Sequence, residues 1–297
     1  MESKFVKLFA VFATTLVLVL QAASVSANMY GVNAAGQFFT IDVATGSGTV
    51  VGNLPISGDS ECCRGYNEIA YDESTNTAWA QERDGNFRAQ PFNVNDASTA
   101  GPPVENGASW HAWEFIGSTL YAAGFAGVVS NGFATMDPAI GIASVSVITD
   151  DTWDEVLSGD VFTGIAYSGV TLYGITNGED SGESSLYTIN LGTGSLTLVG
   201  ASGIRAGSLE FGNDGNLYAG GVAGNAGGFF QINIATGAAT LIGPTGFSGG
   251  GGISGLMRTG QIEAPTAVAI PTMSQWTLIM LSMLLGLMVY ANRRRLF

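Results

Sequence analysis

Short apolar runs alternate with turn-forming residues along most of the chain, and the clearest set lies between residues 162 and 200. Its runs are rich in β-branched and aromatic side chains, and Gly, Asn, Asp or Ser residues separate them. Such runs are typical of β-strands joined by tight turns. The runs cover residues 162–167, 171–175, 186–190 and 195–200. Four strands in one repeating unit are expected for the blade of a β-propeller.

The same pattern recurs elsewhere along the chain. Further copies lie at 207–211, 216–220, 229–233 and 239–243, and more loosely at 113–116, 119–122, 133–137 and 143–147. A weaker copy begins with 68–71, 77–80 and 90–94. An aromatic residue in the second strand marks each copy: Tyr30, Trp79, Tyr121, Tyr173 and Tyr218. These positions lie roughly 40–50 residues apart, which is the repeat length expected of propeller blades.

The two ends of the repeat region complement each other. The first copy begins at Met29–Val32, which corresponds to the second strand of the other copies. The missing first strand appears at the far end, as residues 252–257. A blade built from both termini closes the ring and leaves no unpaired edge between the first and last blades. We therefore predict an all-β fold for residues 28–257, a β-propeller of about five four-stranded blades, with 150–160 left unassigned.

Residues 1–27 have the three parts of an export signal. Lys4 and Lys7 supply the positive start, residues 8–20 an apolar core, and Val25–Ala27 a cleavage site of small residues. The alternative is a membrane-spanning anchor, but the apolar run is short and ends in a cleavage pattern. We expect signal peptidase to cut at the end of this segment, just before the first strand.

The chain is strongly acidic, with 24 acidic and 10 basic residues and a formal net charge of −14. Five of the basic residues lie in the terminal segments: Lys4, Lys7, Arg293, Arg294 and Arg295. Without those segments, 23 acidic residues remain against 5 arginines, which gives a formal charge of −18. Such a surface repels nucleic acid and anionic lipid headgroups. We therefore expect no nucleic-acid partner, whereas the charge suits solubility and metal cations.

Two adjacent cysteines, Cys62 and Cys63, are the only ones in the chain and lie between the first two predicted blades. Free thiols do not persist easily in an oxidising compartment. Adjacent Cα atoms lie ~3.8 Å apart, whereas a disulfide usually spans roughly 4.4–6.8 Å, so a bond between neighbours is strained. The pair is a vicinal structural disulfide, two buried thiols, or a strained redox or ligand-capping element. We favour the structural alternatives.

Few residues are candidates for catalysis. His111 is the only histidine and lies between Trp110 and Trp113, so a centre with several histidines is excluded. A Ser-His-Asp triad would have to use this one histidine. The glycine runs at 220–221 and 249–252 lack the Lys-Ser/Thr of a phosphate loop. We find no catalytic constellation and predict that the protein is not an enzyme.

Two acidic loops are the candidate cation sites. Asp150–Glu155 and Glu179–Glu183 are rich in the hard oxygen ligands that hold Ca²⁺. Neither has the spacing of an EF-hand loop, and an acidic loop is more often a solvated surface. We expect no obligatory cofactor, with Ca²⁺ as the cation that the composition allows for.

The strand pattern ends before residue 258. Residues 258–269 have no strand periodicity, and we predict a linker there. An apolar stretch at 277–290 follows Trp276 and precedes Arg293–Arg295. The stretch is shorter than the ~20 residues that span a bilayer comfortably, but Trp276 and Tyr290 stand where interfacial aromatic residues belong. We predict a transmembrane helix whose arginines stay cytoplasmic, with the propeller on the outer side.

The tail resembles the IPTL-type C-terminal sorting signal, a relative of the PEP-type signals that exosortases of Gram-negative bacteria recognise. The family pattern is Ile-Pro-Thr-Leu, two further residues, Trp and commonly Gly, followed by a helix and an arginine cluster. The matching residues are Ile270, Pro271, Thr272 and Trp276, while Met273 replaces Leu and Thr277 replaces Gly. The resemblance covers residues 270–297. It implies cleavage near 270–272 by an exosortase-type membrane transpeptidase and transfer to the cell surface, whereas an ordinary single-span anchor is the alternative.

Two classes of function agree with these features. The first is a surface-anchored propeller that acts as a binding or structural module, with an unidentified ligand at the central channel or on one face. The second is a secreted propeller lyase or hydrolase that uses paired carboxylates in the channel. We favour the binding module because the body has one histidine and no lysine.

Overall fold

The computed structural model of the chain describes residues 28–55, 66–82, 87–106, 110–124, 132–149 and 152–260. Within these ranges, twenty strands form five four-stranded antiparallel sheets. The sheets contact one another in a closed ring, and the fold is therefore a five-bladed β-propeller. This confirms the predicted fold class.

In every blade the four strands follow one another from the innermost to the outermost. Blade 1 consists of β20 (Ile253–Arg258), β1 (Asn28–Asn33), β2 (Gln37–Asp42) and β3 (Gly48–Asn53). Blade 2 consists of β4 (Tyr66–Asp72), β5 (Thr77–Glu82), β6 (Arg88–Phe92) and β7 (Val104–Glu105). Blade 3 consists of β8 (Ala112–Ile116), β9 (Thr119–Gly124), β10 (Gly132–Met136) and β11 (Ser146–Thr149). Blade 4 consists of β12 (Phe162–Tyr167), β13 (Leu172–Thr176), β14 (Ser185–Ile189) and β15 (Leu196–Ala201). Blade 5 consists of β16 (Ala206–Phe211), β17 (Leu217–Gly221), β18 (Gly228–Ile232) and β19 (Ala239–Pro244).

The ring closes through the pairing of β20 with β1. In this antiparallel pair, Tyr30 lies opposite Met257 and Gly31 lies opposite Leu256. The prediction that residues 253–257 pair beside 29–32 is thus confirmed. The five inner strands contact one another in the order β4, β8, β12, β16 and β20, and β20 returns to β4. Together they surround a central channel.

A cluster of buried apolar side chains fills each space between neighbouring blades. Between blades 1 and 2, for example, Phe38, Tyr66 and Met257 are fully buried. Burying a large apolar side chain contributes about 1.5–3 kcal/mol. Because every cluster draws its residues from two blades, each blade is stabilised by both of its neighbours.

One type of turn joins the third and fourth strands of all five blades. Its first residue is Asp or Asn, and a side-chain oxygen of that residue accepts a hydrogen bond of 2.9–3.0 Å from the backbone N–H two positions later. The N–H four positions later donates to the backbone carbonyl of the same residue. These first residues are Asp42, Asn93, Asp137, Asn190 and Asn233. The position that donates to the backbone carbonyl has a positive φ, and four blades have glycine there whereas blade 2 has Ala97.

This turn packs against the outermost strand of the preceding blade. A Cβ atom at Gly200 in β15 would lie 2.2 Å from the carbonyl oxygen of Thr236, which belongs to the turn of blade 5. Gly243 in β19 and Gly52 in β3 are approached in the same way by the turns of blades 1 and 2. Glycine at these positions lets two backbones come close enough for the blades to pack.

Some elements differ from the sequence-based prediction. The fourth strand of blade 3 lies at Ser146–Thr149 and not at 143–147, because residues 141–144 form a 3₁₀ turn. The stretch that the strand pattern leaves unassigned contains a short helix, α1 (Thr152–Leu157). Its Trp153 is buried, and the indole N–H donates to the carbonyl oxygen of Gly194 at 2.8 Å. Arg258, which the pattern places in the linker, is the last residue of β20.

We predict that Gly200→Ala destabilises the propeller. The added methyl group would overlap the Thr236 carbonyl, and overpacking of this kind typically costs about 1–3 kcal/mol. The loss should be measured as a lower melting temperature in circular dichroism.

Gly192→Ala is the matched control, because the nearest atom to its Cβ is a side-chain oxygen at 3.6 Å. We expect this change to alter the free energy of unfolding by no more than about 0.5–1 kcal/mol. Equal melting temperatures for the two variants would contradict the packing role of Gly200.

Candidate functional site

The central channel has two mouths. A cavity of about 710 Å³ lies at the ends of the inner strands, where Tyr71, Tyr167 and Arg258 line it. A smaller cavity of about 390 Å³ lies at the beginnings of the same strands, where Asn67 and Thr163 line it. The inner strands therefore all run from the smaller mouth to the larger one. We call the larger cavity the exit mouth and the smaller one the entry mouth.

Two glutamates occupy equivalent positions in the exit mouth. Glu114 lies opposite Tyr121 in blade 3, and Glu210 lies opposite Tyr218 in blade 5. These tyrosines belong to the aromatic series that marks the second strand of every blade. Both glutamates line the cavity and are 4–5% exposed. The repeat thus places two buried carboxylates at the same level of two different blades.

Arg258 lies between these carboxylates and a third one. Its Nε atom is 3.5 Å from Glu210 Oε1, and its Nη2 atom is 3.9 Å from Glu114 Oε1. Its Nη1 atom is 3.7 Å from Oε1 of Glu73, which follows β4 and is more exposed. Because β20 and β8 are not adjacent in the ring, the pair with Glu114 crosses the channel. One guanidinium therefore interacts with carboxylates from three blades.

A fourth carboxylate, that of Glu68, lies deeper in the ring. It is two residues before the level of Glu114, or about 7 Å along a strand. The equivalent residues in the other inner strands are small: Ala112, Gly164, Ser208 and Gly255. A Cβ atom at Gly255 would lie 2.9 Å from Glu68 Oε1, so glycine there leaves room for the carboxylate.

The carboxylate oxygens of Glu68 and Glu114 differ in the number of hydrogen bonds that they accept. Glu68 Oε1 accepts hydrogen bonds from the N–H groups of Ile69 at 3.0 Å and Leu256 at 3.2 Å. Oε2 of Glu68 is buried and has no hydrogen-bond partner among the described residues. Glu114 Oε1 accepts one from the Tyr167 N–H at 3.2 Å. A buried polar atom without a hydrogen-bond partner, such as Glu68 Oε2, is uncommon in proteins.

Burial is the largest influence on the pKa values of the carboxylates in the channel. Burial raises the pKa of Glu68 and of Glu114 well above the usual value, and repulsion from Glu210 adds to the effect in both. Burial likewise raises the pKa of Glu210 to about 7, although the charge of Arg258 opposes the change. For Arg258 itself, burial lowers the pKa, but the neighbouring carboxylates outweigh burial and raise it. Perturbed carboxylates in a cleft are typical of functional sites.

The entry mouth contains the histidine singled out in the sequence. His111 lines this cavity together with Asn177, Glu179 and Arg205. The structure thus places His111 at the mouth opposite Glu114 and Glu210. The sequence-predicted residue and the carboxylate cluster are not brought together.

The structure describes one of the two acidic loops in full and the other only in part. Glu179, Asp180 and Glu183 are exposed, and the loop is held by buried Asp160, which accepts hydrogen bonds from the Asp180 N–H at 3.0 Å and the Ser181 hydroxyl at 2.7 Å. The acidic side chains of Asp150–Glu155 lie outside the described residues. In the part of the chain that the structure describes, no three His, Cys, Asp or Glu side chains are grouped so that they could hold a metal ion.

Several predicted features lie outside the described residues. They are the export signal at 1–27, the Cys62–Cys63 pair and the tail from 261 to 297. None of the helices in the described ranges is both long and apolar enough to cross a membrane. The signal peptide, the disulfide and the transmembrane helix therefore remain predictions.

Comparison with protein-family models identifies the tail. Residues 268–295 carry the IPTL-CTERM motif. The matched range includes the segment from Ile270 to Trp276 and the three terminal arginines. This motif and the propeller fold support an exported protein with a sorting signal that a transpeptidase processes. The chain matches no curated protein.

Solved structures resemble the body only distantly. A chain of a nidogen/laminin complex has 10% identity and a TM-score of 0.49, and the match covers 78% of this chain and 81% of that one. A protein of unknown function from Bacteroides thetaiotaomicron has 16% identity and a TM-score of 0.42, with 72% and 49% covered. Hydrazine synthase of Kuenenia stuttgartiensis has 16% identity and a TM-score of 0.40, with 61% and 49% covered.

Sequence reasoning did not identify the carboxylate cluster. A signal was present, since Glu114 and Glu210 occupy the same position of the repeat, one strand before the marker tyrosine. Arg258 was missed because the strand pattern ends one residue too early. Gly255 on the adjacent inner strand β20 makes room for Glu68, and this contact has no signature in the sequence.

We predict that the protein becomes less stable as the pH rises from about 5 to about 8. A carboxylate whose pKa is raised by folding contributes stability below its unfolded pKa, and this contribution is lost as the pH passes through the folded value. For Glu210 the window runs from 4.5 to about 7, which corresponds to about 3 kcal/mol. Glu68 and Glu114 act in the same direction.

Melting temperatures measured across this range should fall, and Glu210→Gln should reduce the slope. Glu179→Gln, at an exposed position in the acidic loop, is the control and should leave the slope unchanged. A melting temperature that is constant or rises between pH 5 and 8 would be incompatible with buried carboxylates of raised pKa.

Proposed function

We propose that the protein is an exported, surface-anchored binding module whose ligand occupies the exit mouth. The single observation that carries this proposal is the 710 Å³ cavity with Arg258, Glu114 and Glu210 at its base. The volume lies within the roughly 300–1,000 Å³ of ordinary ligand pockets. The lining combines apolar walls from Phe115 and Ile116 with convergent polar groups, which is the usual composition of a binding site.

A purely structural role accounts poorly for the charges. Taking several ionisable groups out of water costs free energy that their mutual attraction rarely restores, and well-packed apolar residues commonly serve stability as well or better. In the equivalent positions of blades 2 and 4, Ala70 and Ala166 pack without charge. The carboxylates therefore favour a role in recognition.

The tail supports display at a membrane or cell surface. Proline favours an extended conformation in the residue before it, so we expect Ile270 to be extended and the motif to fit the cleft of a processing enzyme. The apolar stretch at 277–290 would hold the chain in the bilayer until cleavage. Moving Arg293–Arg295 through hydrocarbon would cost about 3 kcal/mol or more for each arginine, so these residues would act as a membrane stop. The proposed partners are signal peptidase and an exosortase-type transpeptidase.

A secreted lyase or hydrolase is the second candidate function. The pKa of Glu210 is raised to about 7, which suits a residue that donates a proton near neutral pH. Glu114 would be the second carboxylate of the pair. Against this candidate, the guanidinium of Arg258 lies within 4 Å of both groups, as expected for an ion-pair network.

We predict that a fragment library contains compounds that bind the exit mouth. The full chain, purified in a non-ionic detergent, is screened by ligand-observed NMR, and hits are tested on Glu114→Gln. This substitution keeps the shape and the acceptor for the Tyr167 N–H but removes the ability to ionise when a ligand binds. Loss of an ionisable contact should weaken true mouth ligands by about tenfold or more.

Glu179→Gln, at the entry mouth, is the control and should bind the hits like the wild type. Turnover of any hit, lost in Glu210→Gln, would favour the enzyme. Absence of any hit that is sensitive to Glu114→Gln would argue against a ligand site at this mouth.

We also predict that the protein from its native host lacks Arg293–Arg295. If the sorting signal is cut near 270–272, Pro271→Ala should cause the uncut, membrane-held form to accumulate, because the extended geometry before proline is lost. Mass spectrometry of the C-terminal peptide distinguishes the forms. A surface protein that still ends in Leu296–Phe297 would show that the tail is a plain anchor.

A further inference from the structure

The exit mouth has an excess of carboxylates over cations. The charged groups that face Arg258 from the surrounding elements are Glu73 after β4, Glu114 on β8 and Glu210 on β16. The phenol groups of Tyr71 and Tyr167 also line this mouth. One guanidinium therefore faces three carboxylates, and these four side chains are electrically neutral together only if two of the carboxylates are protonated.

A further carboxylate lies below the exit mouth. Glu68 is 1% exposed, and its Oε2 atom is buried without a hydrogen-bond partner among the described residues. The interactions of Glu68 with Glu210 and Glu114 place it below the same cluster. Glu68 is not among the residues that line the exit mouth, so it acts on a ligand there only through its charge, and in the ionised form it adds negative potential below Glu114 and Glu210.

The walls of the mouth suit an organic cation. Tyr71, Phe115 and Tyr167 line the cavity above the carboxylates. Aromatic faces attract ammonium groups, by about 0.5–2 kcal/mol depending on desolvation. A divalent metal ion, in contrast, needs several oxygen ligands at about 2.0–2.6 Å, and the described residues offer no group of three such side chains.

From these observations we propose that the exit mouth binds a small organic ammonium ion, whose N–H groups donate to the carboxylates of Glu114 and Glu210 while its carbon chain lies against the aromatic wall. This inference rests on the proposed function, because it names the ligand class of the same site. The formal charge of −18 outside the terminal segments favours a cation over an anion.

Ammonium binding should be linked to proton release. A bound cation favours the ionised form of Glu210, whose pKa in the free protein is raised to about 7. Each ion bound near neutral pH therefore releases up to about one proton from the cluster. Raising the pH from 6 to 8 should strengthen binding by about tenfold, because an alkylammonium ion stays charged over this range whereas the carboxylate loses its proton.

The test is isothermal titration calorimetry of the full chain in a non-ionic detergent. The probes are butylammonium, Nα-acetyl-lysine amide, butanol as the neutral isostere, and Ca²⁺. The expected result is saturable binding of butylammonium, with none of butanol, and proton release that is detected from two buffers of different ionisation enthalpy. The lysine derivative shows whether the same site also accepts a peptide-borne ammonium group.

The variants Glu114→Gln, Glu210→Gln and Glu68→Gln should each weaken butylammonium binding, the first two by about tenfold or more. Glu183→Gln in the exposed acidic loop is the control and should bind as the wild type does. If a variant fails to fold, the pH dependence and proton release of the wild-type protein still decide the question.

The proposal would be overturned if butylammonium did not bind at about 100-fold molar excess, or if its binding did not strengthen between pH 6 and 8. It would also be overturned if folded Glu114→Gln and Glu210→Gln bound butylammonium as the wild type does. Binding of Ca²⁺ in preference to ammonium would overturn it as well. If a neutral compound from the fragment screen binds the mouth while ammonium does not, the ligand class is wrong but the binding function stands.

Discussion

The antiparallel pairing of β1 with β20 is the contact on which the rest of the molecule depends. Without β20, blade 1 would have three strands and the inner ring would have a gap between β16 and β4. The hydrophobic clusters on both sides of blade 1 would also lose residues, since Met257 and Leu256 belong to them. Contacts that are so distant in sequence form only after a large loss of chain entropy. The ring is therefore stable as a whole and not blade by blade.

The same pairing completes the exit mouth. Arg258 is the last residue of β20 and lies opposite Met29. Closure thus brings the guanidinium to Glu73, Glu114 and Glu210, which come from other blades. In an open ring Glu114 and Glu210 would be in water, and burial would no longer raise their pKa values. Fold and site are coupled, because the strand that closes the propeller also carries the cation of the channel.

Much of the fold could be predicted from the sequence, because each blade repeats the same short sequence signals. The Asx turn beginning at Asn190 or Asn233, the glycine that follows it and the marker aromatic of the second strand all act over a few residues. The weak points were places where this repeat breaks, such as the 3₁₀ turn at 141–144 and helix α1. At these places the local structure is determined by tertiary packing, for example by the packing of Trp153 between blades 3 and 4. The local sequence pattern therefore does not predict it.

The candidate site was harder to predict because its residues come from different blades. They are far apart in sequence and become neighbours only in the closed ring. Glu68 is isolated in sequence from Glu210 and Arg258, and only the ring brings them together. Glu114 and Glu210 are each the only ionisable residue in a buried strand, which is a local conflict with burial.

Such conflicts are expected where function has overridden stability. A sorting signal explains where the chain goes but not why it retains three carboxylates around Arg258 and a fourth, that of Glu68, below them. Burial of these charges raises the free energy of the folded protein, and a cation that enters the mouth is stabilised by the same charges. A cation bound in the mouth would therefore offset the cost of keeping the carboxylates in the channel.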